Sequence, residues 1–488
     1  MRKPLILPIR FYSLLVAMLF LSCFVFLCFE QSHFDSDQAI SGIMAKHLSE
    51  FRHFPIYTYG AKYVLGFETW IAAPFMALWG ASVFTLKLPL FILNSITLCL
   101  LAYLLKKETK LSLMELFFSV IFFVLVSPIG SSRILHAAVG VPTSFLACLL
   151  VWVFRNRPIA IGLLLGLVVP IRPFVLYAFA SILFLEGLSQ GFNLKRYWNQ
   201  WKVTGGIFLS LVFFFKVIGK FGVNYKGPAV PAMVIKDPVS FYHSFEWLIT
   251  QNLPAIFGLK TEKLADYNIA SSLSVGHELV VPFVILLIFL TCVFVLRWIP
   301  KLSRKSISDF LLSEPFAVFL MCIGLLSGFV YTEFTRGAEN IMLIRYTILC
   351  VFFPIGYSAL FFKTELNRNW RRGWIVTIGI LFVLNATDHI RLIHEYFTHE
   401  PLNPYRELVN HLETSGIHYG EAPFWTASHV SFFSQEKILL TESDFARVDE
   451  YLIQIQNHPE SFANISDGVC RDPLKGENFL RWCIERSH

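Results

Sequence analysis

Apolar residues in this chain come in long blocks, broken by short polar connections and followed by one long polar tail. A membrane span needs about 20 apolar residues. Eleven stretches approach that length: 11–29, 84–105, 113–129, 136–154, 158–171, 174–189, 203–219, 279–297, 312–331, 342–362 and 373–390. The pair 158–171 and 174–189 is short and separated only by Arg172-Pro173, so it forms either two half-depth helices or one tight hairpin. Between the first two blocks, Ile40, Ile43, Met44, His47, Leu48 and Phe51 recur at helical spacing. That pattern predicts a helix lying along a membrane surface. An aromatic, Gly-containing stretch follows, with Tyr57, Tyr59, Gly60, Lys62, Tyr63, Gly66, Glu68 and Trp70. From Arg391 to His488 the pattern changes to short helical and strand-like runs, enough for a soluble domain of about 100 residues. Tyr405–Leu412 reads as a helix, and 424–433 and 437–440 read as strands. The fold class predicted is therefore an all-α polytopic membrane protein of about 11 spans, residues 1–390, with a small α/β C-terminal domain, residues 391–488.

Composition agrees. The 488 residues are 55% apolar and 15% charged, against roughly 25% charged in soluble domains. The formal net charge of +7 matters less than its placement. With the N-terminus in the cytoplasm, the inward segments carry Arg2, Lys3, Arg10, Lys106, Lys107, Lys110, Arg155, Arg157, Lys195, Arg196, Lys202, Arg297, Lys301, Arg304, Lys305, Lys363, Arg368, Arg371 and Arg372. The short outward connections hold only Arg133, Arg172, Arg336 and Arg345. The positive-inside rule then puts the loops 30–83 and 220–278 and the tail on the outer side. The first apolar run lacks a small-residue cleavage site and reads as a retained span. Seven of the nine cysteines fall in the predicted spans as small buried hydrophobes. Cys470 and Cys483 lie in the tail and can pair if that side is oxidising.

Two carboxylates stand at the mouth of the first span. Asp35, with Gln38 three residues on, reads as the N-cap of an Asp-x-x-Gln variant of the capping box. Asp37 falls in the first turn, where the helix dipole favours an anion, and a carboxylate there is also placed to act as a general base. Each outward arginine borders a span end, at lipid-phosphate depth, where Arg binds phosphate bidentately and Lys does not. Snorkelling to the interface is the alternative for any one of them. Arg345-Tyr346, opening a long span, is the most informative pair. His33, His47, His53, His136 and His277 form no His-x-x-x-His pair, so a zinc site has no support. A divalent cation, Mg²⁺ or Mn²⁺, held by Asp35 or Asp37 with a phosphate stays open. Asn385-Ala-Thr and Asn464-Ile-Ser match the N-glycosylation pattern, which is short enough to arise by chance.

The first outward loop resembles that of the GT-C membrane glycosyltransferases, in particular their dolichyl-phosphate-mannose mannosyltransferase-like and aminoarabinose-transferase-like branch. Asp37-Gln38-Ala39 falls on that family's Asp-Glu-Ala-like motif, Pro55 on its proline, and Leu78-Trp79-Gly80 on the ending before the second span. Gln38 stands where the family often has Glu. Arg345-Tyr346 is similar to the family's late "RY", and Arg172-Pro173 occupies the place of a Lys-Gly-Pro-like turn. The resemblance implies inverting transfer of a sugar from a polyprenyl-phosphate donor to a glycan, lipid or protein acceptor on the outer face. It also implies a bacterial inner membrane with the site facing the periplasm, and no nucleic-acid partner. Asp37, with Asp35 beside it, would supply the base. Arg345, Tyr346, Arg172, Arg133, Tyr59, Lys62, Tyr63 and Glu68 would bind substrate. The competing class is a lipid-linked-sugar flippase or other transporter, which predicts mid-span charges and broken helices in matching halves. An accessory membrane scaffold is a third class.

Overall fold

The computed structural model describes residues 7–138, 140–190, 194–219, 237–259, 285–286, 288–293, 295–296, 307–334, 344–444, 446–458, 461–470, 472 and 476–486. Six helices among the described residues are long and apolar enough to cross a membrane. They are α1 (Ile9–Cys28), α4 (Val83–Thr109), the Trp201–Ile218 part of α10 (Leu194–Ile218), α11 (Pro315–Phe334), α12 (Ile344–Thr364, with one 3-10 turn) and α13 (Arg368–Thr398). The expected span 113–129 is instead a bent pair, α5 (Leu113–Val124) and α6 (Pro128–Ile134), which meet at 80°. The expected spans 136–154, 158–171 and 174–189 are shorter apolar helices, α7 (Val141–Val153), α8 (Pro158–Val168) and α9 (Val175–Gln190). About half of the expected span 279–297 and most of the loop 220–278 lie outside the described residues. The protein is thus an integral membrane protein of many helices, and α13 continues beyond its apolar part to Thr398 before the polar tail begins.

Local sequence accounts for the helix starts. Ser82 and Thr85 make a capping box for α4, and Ser112 and Glu115 make one for α5. The break between α5 and α6 frees backbone carbonyls inside the bundle, where an unpaired one costs free energy. Polar residues of α13 reach these carbonyls. Asn385 Nδ2 donates to Leu125 O at 3.1 Å, and His389 Nε2 donates to Val126 O at 2.9 Å. Asn385 is buried, so its Asn-Ala-Thr pattern serves the bundle and is inaccessible to glycosylation.

Two expectations are corrected in the loop after α1 and in the polar tail. The helix carrying the amphipathic pattern, α2 (Ser36–Ser49), is buried rather than laid on a membrane surface. Its apolar face packs on α3 (Phe67–Trp79), and the polar end of the helix is covered by the C-terminal domain. Glu436 there takes His47 at 2.7 Å, Arg52 at 3.0 Å and the hydroxyl of Tyr451 at 2.8 Å, and it also pairs with Lys46. The hydrophobic period located the face correctly but could not show that a domain 389 positions further on covers the other side.

A short antiparallel pair, β1 (Tyr57–Thr58) and β2 (Ala61–Leu65), precedes α3. The C-terminal domain is a five-stranded sheet of order β4-β3-β5-β7-β6. The strands are β3 (Tyr419–Ala422), β4 (Leu439–Glu442), β5 (Phe462–Asp467), β6 (Gly476–Phe479) and β7 (Trp482–Arg486). β3 is parallel to both β4 and β5, and β7 is antiparallel to β5 and β6. Its helices are α14 (Pro404–Thr414), α15 (Phe424–Phe433) and α16 (Asp449–Asn457). The stretch 424–433 is therefore a helix and not the expected strand. Aromatic and β-branched residues favour strands, but Pro423 starts a helix here, and eight successive residues from Thr426 to Phe433 are buried between the sheet and α2. A helix covered on all sides loses the periodicity that would reveal it. Cys470 and Cys483 form a disulfide within this domain.

Candidate functional site

The N-terminus of α2 is the meeting point of four distant segments. Asp35 caps it, with Oδ1 accepting from the backbone N of Gln38 at 3.1 Å. The other oxygen accepts from His136 Nε2 at 2.8 Å, and Arg133 Nη1 stands 3.9 Å away. Ala138 N donates to His136 Nδ1 at 3.3 Å, which fixes the ring proton on Nε2, facing Asp35. Asp35, Arg133 and His136 are all buried. Burial by itself raises the pKa of Asp35, but His136 and Arg133 outweigh it and hold the carboxyl well below its ordinary range. Burial also lowers the pKa of His136, against the pull of Asp35. Asp35 is thus an ionised structural group with both oxygens committed.

The rest of the cap is equally tied. Lys87 is buried beside it and donates to Phe26 O at 3.0 Å and His33 O at 3.4 Å, closing the C-terminal end of α1. The Gln38 side chain does not return to the cap residue as a capping box would. It donates to His33 O at 2.8 Å and accepts from Ala137 N at 3.3 Å. From the C-terminal domain, His429 Nε2 donates to Phe34 O at 2.8 Å while Nδ1 lies 3.0 Å from Ser36 Oγ.

Asp37, two residues on, is in a different environment. Its side chain is 31% exposed, and Oδ2 accepts from Arg345 Nη1 at 3.3 Å. Arg345 lies 5.3 Å from the ring centre of Tyr346, and Arg172 lies 5.5 Å from the same ring, within cation–π range. Nε of Arg345 is buried and has no hydrogen-bond acceptor among the described residues. Asp35, Asp37, Arg133, Arg172, Arg345 and Tyr346 are thereby gathered from four separate parts of the sequence. The turn carrying Arg172 is seated against Gly140, whose φ of +65° favours glycine and where an added Cβ would come within 3.0 Å of the Arg172 side chain.

The remaining predicted residues lie elsewhere. Tyr59 is buried and its hydroxyl is 3.0 Å from His47 Nδ1, in the junction between α2 and the C-terminal domain. Glu68 is buried in the first turn of α3, where its carboxylate accepts from Gly140 N at 3.2 Å and Thr143 Oγ1 at 3.1 Å. It closes the start of α7, which has no cap of its own. The side chains of Lys62 and Tyr63, and the whole of Arg336 and His277, lie outside the described residues. His136, Gln38, Lys87 and His429 were not singled out as site residues from the sequence. Lys87 is a lone lysine inside the apolar block 84–105, a signal that points to it, whereas Gln38 reads from the sequence only as half of a capping box and a motif position, and His136 only as a possible metal ligand.

Burial pushes the carboxyl of Glu68 up to about 7, from an ordinary value of 4.5. A carboxyl raised in the folded state resists ionisation, so its contribution to stability falls as pH rises from about 4.5 towards about 7. Glu68→Gln should flatten that limb of a thermal-unfolding profile measured in detergent. An unchanged slope between those pH values would show that Glu68 does not titrate in this window.

The side chains do not fit a protein-built metal cage. Asp35 has both oxygens engaged, Asp37 faces a guanidinium, and no group of three His, Cys, Asp or Glu residues converges among the described residues. Mg²⁺ wants octahedral oxygen ligation, which these committed carboxylates do not supply.

Neither a family model nor a curated protein matches the sequence. Several solved structures are similar to it, two of them of ArnT. ArnT from Cupriavidus metallidurans in the apo state is 10% identical with a TM-score of 0.45, covering 98% of each chain. ArnT from the same organism bound to undecaprenyl phosphate is 9% identical with a TM-score of 0.42, covering 98% of this chain and 97% of that one.

Proposed function

We propose that this protein is a GT-C-type glycosyltransferase that moves a sugar from a polyprenyl-phosphate donor to an acceptor at the outer face of the membrane, with inversion. The observation that carries the reading is the unequal pair of carboxylates. Asp35 is locked and buried, while Asp37 is open to solvent beside two arginines that flank one tyrosine ring. In a single displacement the acceptor oxygen bonds to the anomeric carbon as the bond from that carbon to the phosphate oxygen breaks. The acceptor proton passes to Asp37, and the departing phosphate charge is met by Arg345 and Arg172. Placing donors where charge develops is usually the largest catalytic contribution.

An apolar cavity of about 820 Å³ supports the lipid part of this reading. Phe122, Phe257, Phe329, Cys350 and Phe353 are among its lining residues. Cys350 and Phe353 follow Arg345 and Tyr346 along α12, so one helix carries the phosphate-facing residues at its start and the cavity wall further on. A prenyl chain matches such a wall in chemistry. The lysine and arginine asymmetry, together with a disulfide in the tail, supports an outward, oxidising location for the site.

The test is transfer of a labelled sugar from a synthetic polyprenyl-phosphate donor by purified protein. A protein that moves the lipid between leaflets without forming a glycosidic bond would be a transporter and would overturn the reading. Arg345→Lys should keep the charge and the fold but lose bidentate geometry. The expected result is a donor KM raised roughly ten- to hundredfold. Wild-type donor affinity in that variant would reduce Arg345 to an interfacial anchor.

A further inference from the structure

We infer that Gln38 is the positioning residue of this site: its side-chain amide, donating on one edge and accepting on the other, staples the Asp35–Asp37 segment to the His136 loop. The inference rests on the proposed function for its link to activity, and on geometry alone for its link to structure. Gln38 is buried. One edge of its amide meets a carbonyl, His33 O, at 2.8 Å, and the other meets an N–H, Ala137 N, at 3.3 Å. A carbonyl can only accept and an N–H can only donate, so the amide has one allowed orientation. Its own backbone N is spent on Asp35 Oδ1 at 3.1 Å. One residue therefore touches the capping carboxylate, the turn before it, and the loop that supplies His136.

Among side chains of this length that do not titrate, only the amide offers both a donor and an acceptor in that plane. A carboxylate at this position has acceptors only. It keeps Ala137 N, but it sets one anionic oxygen against His33 O and adds a negative charge next to Asp35. A protonated carboxylic acid is different, since its O–H replaces the amide N–H and its C=O replaces the amide oxygen. Gln38→Glu should therefore behave as wild type when neutral and as a misplaced site when ionised. The titratable and charged groups around the position are His33, Asp35 and Asp37 on the same segment, Lys87 of α4, Arg133 and His136 of the adjoining loop, Arg345 of α12 and His429 of the C-terminal domain. All are present in wild type, so the variant is read as a ratio to wild type at each pH.

The experiment compares Gln38→Glu and Gln38→Met with wild type in detergent, from about pH 5 to about pH 8. Two measurements are made, thermal unfolding and turnover with a synthetic polyprenyl-phosphate sugar. A neutral Glu is stapled and an ionised one is not, so relative turnover of Gln38→Glu should fall about tenfold or more as pH rises across a window of roughly one to two units. Its melting temperature should fall away from that of wild type over the same window. Gln38→Met, which cannot titrate, should lose activity by a constant factor at every pH. Equal, pH-independent losses in both variants would overturn the staple and leave a space-filling role. A fully active Gln38→Glu at about pH 8 would overturn it as well. If wild type transfers no sugar, the functional reading fails while the unfolding comparison still decides the staple. If Gln38→Glu cannot be purified at about pH 8, purification at about pH 5 with intact unfolding supports the inference, and failure at both overturns it.

Discussion

Asp37→Asn should lower turnover by about 10² to 10⁴, the usual cost of removing a positioned base, with little change in thermal stability. Asn keeps the size and can still accept from Arg345, whose Nη1 is 3.3 Å from Asp37 Oδ2, but it cannot take a proton. The side chain is partly exposed and caps nothing, so the effect on folding should stay within about 0.5 kcal/mol. Donor KM should move less than turnover, because in the proposed reaction the arginines rather than Asp37 meet the phosphate. A loss in turnover below about tenfold would remove Asp37 from the role of base.

The second large effect falls on stability. Asp35→Asn looks mild from the sequence alone, because Asn caps helices nearly as well as Asp. The structure argues otherwise. Asp35 accepts on both sides, from Gln38 N and from His136 Nε2. An amide has one acceptor, so Asn sets an N–H against a donor on one side whichever way it is turned. It also deprives buried Arg133 of a negative neighbour. A buried donor left without its acceptor costs about 1–3 kcal/mol, and Asp35→Leu, which removes the whole charge, should cost about 3–5 kcal/mol. The pH dependence has a definite sign. The folded-state pKa is depressed, so the contribution of Asp35 is complete above its unfolded value near ~3.9 and is lost as pH falls below it. The gap in melting temperature between wild type and Asp35→Asn should be full at neutral pH and close in acid. An Asp35→Asn protein as stable as wild type at neutral pH would refute the double-acceptor account. Together the two variants separate the carboxylates, one changing turnover and the other changing stability.

What the sequence disclosed and what it hid follow from the range of the interactions. Spans, caps and the few arginines in the short connections that the positive-inside rule assigns to the outer side are written in local pattern and composition, so α1, α4 and the cap at Asp35 were legible. Arg172, Arg345 and Tyr346 stood out because arginine is rare on that side of a membrane protein, and the structure brings them around one ring. His136 was visible only as a histidine near a predicted span. Its partner lies 101 positions away and no local period connects them. Gln38 read as half of a capping box, because that role needs only neighbours in sequence, whereas the contacts it makes depend on where Ala137 comes to rest. The helix Phe424–Phe433 was misread for a related reason, since complete burial removes the polar face that distinguishes a helix from a strand.

The reach of His429 to Phe34 and Ser36 also bears on how the chain is made. Those partners are separated by 395 and 393 positions. At about 5–20 residues per second on a ribosome, the interval between synthesis of the first partner and arrival of the second is roughly 20–80 s. For all of that time the spans can enter the bilayer one after another, yet the segment holding Asp35 and Asp37 lacks its last neighbour. The segment gains this contact only after residue 429 has been translated, so a product truncated before it keeps its spans but leaves Phe34 and Ser36 without their histidine partner.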